Sequence, residues 1–129
     1  MHSKWLAIAG VVGALGVILG AFGAHGLKER LSEDLLITYE VGVRYHMYHA
    51  LALFATAMFA SAHNANAWLT RACWAWLFGV VVFSGSLYAL ALTNILWLGA
   101  ITPIGGVAFI LGWAFVVAAG WKATRHSDS

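Results

Sequence analysis

The sequence predicts an all-α integral membrane protein: four transmembrane helices in a compact antiparallel bundle, with a short amphipathic interfacial helix between helices one and two. Three observations lead there. Of the 129 residues, 62% are hydrophobic and 9% are charged, whereas an ordinary soluble domain carries about 25% charged residues. The charges cluster at a few points and leave long uncharged runs. A soluble chain this short would expose too much apolar surface, because small domains bury a smaller share of their chain.

The first uncharged run covers residues 5–27 and is closed by Lys28, Glu29 and Arg30. It is long enough for one crossing at about 20 residues. Met1-His2-Ser3-Lys4 ahead of it is similar to the start of a secretory signal. The run exceeds a signal's short apolar core, however, and Ala24-His25-Gly26 is a poor cleavage site. The expectation is a retained first helix. Residues 31–42 follow, with Leu31, Leu35, Tyr39 and Val43 at helical spacing and Glu33, Asp34 and Glu40 largely off that stripe. That pattern predicts the interfacial helix.

A second uncharged run, 45–70, carries helix two, expected at about 43–63. The third, 72–121, is roughly twice the length that one crossing of about 30 Å needs. It must turn back once. Thr93-Asn94 and the stretch from Gly99 to Pro103 supply the turn chemistry, with proline tolerated in the first turn of the next helix. Helix three is therefore expected at about 70–93 and helix four at about 102–121, the whole of 1–129 forming one domain.

Orientation follows the Lys/Arg balance of short loops. One face carries Lys4, Arg71, Lys122 and Arg125, and the other carries Lys28, Arg30 and Arg44. The balance favours cytoplasmic N and C termini in the cell's inner membrane. Trp5, Trp68 and Trp121 fall near the inner boundary and Trp97 near the outer one, as an aromatic belt would.

The single cysteine, Cys73, excludes an internal disulfide and any multi-cysteine metal site. The net charge of +2, without a basic run, argues against nucleic acid as a partner. Membrane lipids are the expected partners, with a homo-oligomer or a larger membrane complex as further readings.

Spanning helices associate through close packing and polar contacts, since lipid tails are as apolar as leucine. On helix one, Ala9, Gly13, Gly16, Gly20 and Gly23 share a stripe roughly 80° wide at 100° per residue. This stripe packs against helices of the same chain or forms a dimer seam. Gly105, Gly106 and Gly112 give helix four a similar close-approach surface. On helix two, Gly42, His46, His49, Leu53, Thr56, Ala60 and His63 form one stripe, and polar residues there should face the bundle interior. Depth then gathers His25, Arg44, His46, His49, Ser84, Ser86, Tyr88 and Thr102 into one polar cluster in the outer half, the candidate ligand-binding site.

Several segments carry a family resemblance. They are Gly20-Ala21-Phe22-Gly23-Ala24-His25-Gly26-Leu27, Tyr45-His46-Met47-Tyr48-His49-Ala50-Leu51, Phe83-Ser84-Gly85-Ser86-Leu87-Tyr88, Ile101-Thr102-Pro103-Ile104-Gly105-Gly106 and Gly112-Trp113. In this order they resemble the small inner-membrane family filed as domain of unknown function 423, of UPF0382 type, which includes animal transmembrane protein 256. The resemblance implies a four-helix, mostly bacterial membrane protein without an established biochemical activity.

The leading functional reading is a non-enzymatic membrane component. It binds lipid or another amphiphile at the outer cluster, where Arg44 can meet a phosphate oxygen, and supports membrane integrity. The alternative for the same residues is that they satisfy one another as interhelical glue. Metal or haem ligation by His25, His46 and His49 is a further reading, since imidazole is the commonest metal ligand, although no cofactor is required by the sequence. Proton-coupled transport lacks an Asp or Glu within the spans. An intramembrane enzyme built on Ser84 or Ser86 with a helix-two histidine lacks an orienting acid. An accessory subunit of a larger complex fits a chain with so little mass outside the membrane.

Overall fold

The structure, a computed structural model, describes residues 2–63 and 67–127, and these form helices joined by short links. The first helix, α1, runs over His2–Phe22 and widens into a π-helical turn at Gly23–Leu27. The second, α2, covers Glu33–Ala62 without a break. The third rod is composite, with α3 at Ala67–Gly79, a π-turn at Val80–Ser84 and α4 at Gly85–Thr93. A 3₁₀ turn at Leu96–Ala100 leads into α5, Thr102–Ser127.

Local chemistry sets these limits. Ser32 has extended backbone geometry, and its hydroxyl accepts from the Leu35 N–H at 3.3 Å, which caps α2. Glu33 and Asp34 in the first turn complement the helix dipole. At the far end of α4, Asn94 takes the left-handed conformation (φ 57°) that ends a helix. Pro103 falls in the first turn of α5, where its missing N–H is not needed.

Three helical stretches are long and apolar enough to cross a membrane: Ser3–Leu27, Ala67–Thr93 and Leu96–Arg125. The second helix, α2, is not among them. Glu33, Asp34, Glu40 and Arg44 occupy its first half, and Tyr45, His46, Tyr48 and His49 its middle. Residues 31–42, expected as an interfacial helix that could run on into helix two, do run on into it. From Glu33 onward they form the opening turns of α2. Gly42 does not break the helix, because its bare backbone receives the Tyr88 ring 2.9 Å from where a Cβ would stand.

Two antiparallel pairings organise the chain. Along α1 and α2, Gly23 faces Tyr39, Gly20 faces Val43, Gly16 faces Met47, and Trp5 shares a core cluster with Ala57. The partners therefore run in opposite directions over nearly the full length of α1. Along the third rod and α5, Trp76 meets Gly112, Gly79 meets Phe109, Phe83 meets Gly105 and Ser86 meets Thr102. These contacts recur at spacings of three and four, as in knobs-into-holes packing. The two pairs join where α2 lies against α4 and the π-turn, with Tyr45 beside Phe83 and Gly42 beside Leu87 and Tyr88.

The interior holds Leu53, Ala72, Trp76 and Phe109, while Val17, Ile18, Leu51, Val81, Ile110 and Val117 face outward. Broad apolar exposure of this kind is a liability in water. In hydrocarbon it costs nothing.

Candidate functional site

The polar residues of α2 meet their partners through the two pairings just described. His46 is buried, with Nε2 2.7 Å from the Val12 carbonyl of α1 and Nδ1 2.9 Å from the Tyr88 hydroxyl of α4. A carbonyl only accepts, so Nε2 carries the proton and Nδ1 accepts from Tyr88. One imidazole thus bridges three helices. Ser84, fully buried in the π-turn, donates to the Gly42 carbonyl at 2.7 Å and ties the third rod to α2 at the same level. In that turn the Gly85 N–H reaches back to the Val80 carbonyl. Single π-turns of this kind inside α-helices recur at functional sites.

His49 makes a second knot. Nδ1 donates to the Tyr45 carbonyl at 2.8 Å, and Nε2 accepts from the Trp113 indole N–H at 3.1 Å. Its ring stacks on Phe109, with centroids 3.7 Å apart and planes 6° apart. The third knot joins α4 to α5. The Ser86 hydroxyl donates to the Phe83 carbonyl at 2.9 Å, so its contact with Thr102 at 2.5 Å must use the threonine proton.

The eight residues of the sequence-derived cluster therefore divide. His46, Ser84 and Tyr88 gather around α2 and α4, Ser86 and Thr102 pair, and His49 pairs with Trp113. His25, in the π-turn of α1, and Arg44 are exposed at the rim. Both nitrogens of His46 and of His49 are used within the chain. Among the described residues, no three His, Cys, Asp or Glu side chains are placed to hold a metal ion. Both serine hydroxyls donate to backbone carbonyls, not to an imidazole.

Sequence reasoning did not single out three contributors as site residues. Trp113 closes the His49 knot. Tyr39 is buried and donates to the Leu19 carbonyl at 2.6 Å. The Val12 carbonyl receives His46. Tyr39 lies one helical turn before the α2 polar stripe, a signal that was present. A backbone carbonyl leaves no mark in a sequence. Trp76 presents the opposite case, with a buried indole N–H that has no partner.

The glycines divide as well. Gly16 and Gly20 face α2, and at Gly23 a Cβ would lie 2.5 Å from the Tyr39 ring. At Gly105 a Cβ would run into the Phe83 backbone, and at Gly112 into the Trp76 indole. Gly106 is in ordinary contact distance of Phe83, and Gly13 faces open space.

Fold and site together define an all-helical membrane protein whose buried polar side chains bond backbone carbonyls and one another. The chain belongs to the family described as "Protein of unknown function (DUF423)", whose model matches residues 19–106. It is similar to the UPF0382 membrane protein YwdK of Bacillus subtilis, at 49% identity over 92% of this chain and 98% of the relative. A UPF0382 membrane protein of Staphylococcus epidermidis is 46% identical over 87% of this chain and 93% of its own. One of Haemophilus influenzae is 40% identical over 95% and 98%. No solved structure matches the chain.

Proposed function

We propose that this is a non-enzymatic inner-membrane protein with four crossings and both termini cytoplasmic. In this reading it supports the membrane by binding lipid headgroups at the outer rim of its polar cluster. The observation that carries the reading is the division of the cluster. Six members are buried or half-buried and bonded to other groups of the chain, whereas Arg44 is exposed and makes no ion pair among the described residues. An unpaired guanidinium that reaches toward the headgroups along its long apolar stem is suited to bidentate contact with phosphate.

The fourth crossing is supported by register. Since α2 runs antiparallel to α1 from Tyr39 to Ala57, it traverses the same depth as its apolar partner. Its histidines find hydrogen bonds inside the bundle, which removes much of the cost of carrying them through hydrocarbon. The engaged imidazoles and carbonyl-bound serines support the non-enzymatic reading, because no activated nucleophile is assembled among the described residues.

Two measurements test this. Reporters fused to each terminus should both read out in the cytoplasm, whereas opposite sides would reduce the crossings to three. Phospholipid retained per chain after detergent washing should fall in Arg44→Ala. Unchanged retention would reject the rim as a lipid contact.

A further inference from the structure

At the opposite end from the Arg44 rim, α2 and α5 part and leave a groove of about 500 Å³, within the range of roughly 300–1,000 Å³ found for small-molecule sites. Its walls include Ala52, Thr56 and Phe59 of α2 and Val116 and Gly120 of α5, with Trp76 as the floor. Trp113 closes it at mid-bundle through the hydrogen bond to His49. The other end opens beside His63 and Ala123.

Length and exposure describe the occupant. From Trp113 to Ala123 a helix rises about 15 Å, half of a hydrocarbon layer of roughly 30 Å. The groove is one leaflet deep. Its rims, Phe59 and Trp113, are 52% and 49% exposed, so it opens sideways into the surroundings of the bundle. Left empty, such a groove would forfeit dispersion contacts along all its walls. In a bilayer the material that reaches it is an acyl chain.

Charge describes the headgroup. Lys122 and Arg125 lie on the last turns of α5 at the level of the open mouth, while the Arg71 guanidinium of α3 lies over the Trp68 ring at 4.5 Å. Glu29, Glu33, Asp34 and Glu40 all lie at the other end, and no acidic residue among those described lies at this one. Lys and Arg reach along an interface on flexible apolar stems. Within the chain His63, at the mouth, engages its Nδ1 with the Phe59 carbonyl at 3.2 Å.

We propose that the α2–α5 groove binds one acyl chain of an anionic phospholipid, whose phosphate is held at the cationic mouth by Lys122 and Arg125. This site is independent of the Arg44 rim and lies in the other leaflet.

The test is native mass spectrometry of the full chain released into mild detergent from vesicles of equal phosphatidylglycerol and phosphatidylcholine with identical acyl chains. Wild type should retain one phospholipid with about fivefold preference for phosphatidylglycerol, the effect of one basic side chain near an anionic surface. At Gly120 a new Cβ meets nothing within 4 Å, so Gly120→Phe directs its ring into the groove without a clash at Cβ. It should lower retention about tenfold. Ala55→Phe, on the facing wall, should do the same. Lys122→Gln combined with Arg125→Gln should abolish the headgroup preference. Unchanged retention in both groove variants would overturn the proposal, as would equal retention of the two lipids by wild type. A dimer dissolved by Gly120→Phe would overturn it too, with a second copy as the occupant. Lipid kept in Arg44→Ala and lost in Gly120→Phe belongs to the groove. Lipid lost in Arg44→Ala alone rejects the groove and leaves the rim reading standing.

Discussion

The indole N–H of Trp113 donates to Nε2 of His49 across 3.1 Å, and this bond links α5 directly to α2. The two helices otherwise touch mainly through the aromatic rings of Tyr45, His49, Phe109 and Trp113. Trp113→Phe keeps a ring in place but leaves the His49 acceptor unpaired. Interhelical hydrogen bonds in membrane proteins contribute about 0.6–1.7 kcal/mol, and a loss of that size is expected. Unfolding in mixed detergent and dodecyl sulfate, run as a double-mutant cycle with His49→Leu, would measure it. A coupling energy near zero would show that the pair is idle.

His46 should matter more than the tyrosine that bonds it. Tyr88→Phe removes one donor and leaves the Val12 contact intact. By contrast, His46→Leu removes links to α1 and α4 together. The expected order is a cost of about 1 kcal/mol for Tyr88→Phe and roughly 2–3 kcal/mol for His46→Leu. Thermal midpoints of the two variants in one detergent would suffice to rank them, and the reverse order would refute the three-helix bridge.

Adjacent glycines on α5 provide a sharp contrast. Gly105 lies against the Phe83 backbone, which cannot swing away, so Gly105→Ala should cost about 1–3 kcal/mol through overpacking. At Gly106 the nearest atom is 3.8 Å from the new methyl, and Gly106→Ala should stay within about 0.5 kcal/mol of wild type. Equal effects at both positions would mean that the helix contact is placed wrongly.

The same contrast holds on α1. Gly23→Ala pushes a methyl group into the Tyr39 ring, whose hydroxyl is fixed on the Leu19 carbonyl. Folded yield and midpoint should both fall. Gly13 has open space around it, and alanine there should gain up to about 1 kcal/mol from helix propensity. A large loss at Gly13 would reveal an unseen partner on that face.

The all-helical, membrane-embedded class was legible because it rests on composition and on runs without charge. The reversal after Thr93 was legible too, since asparagine tolerates the left-handed turn that the chain makes at Asn94. What the polar residues bond was not. His46, Ser84 and Tyr39 all reach main-chain carbonyls, at Val12, Gly42 and Leu19, and any residue type supplies one. Neither π-turn has a sequence signature here, for Val80–Ser84 is an ordinary apolar stretch. Depth placed His25 and Arg44 with the other six cluster residues, but depth gives no direction around a helix, and both proved exposed. The groove between α2 and α5 arises from two helices parting, a property that neither has alone.

The partners of Tyr39 and His46 also have an order in time. A chain is made from its N-terminus, so the Leu19 and Val12 carbonyls emerge from the ribosome before the side chains that will seek them. By the time α2, the least apolar of the long helices, leaves the ribosome, α1 is complete and offers glycines where Tyr39 and Met47 will lie. Tyr88 and Ser84 arrive later and complete what α1 has begun. Biogenesis of this chain is therefore sequential by construction, with its first helix acting as the template for its second.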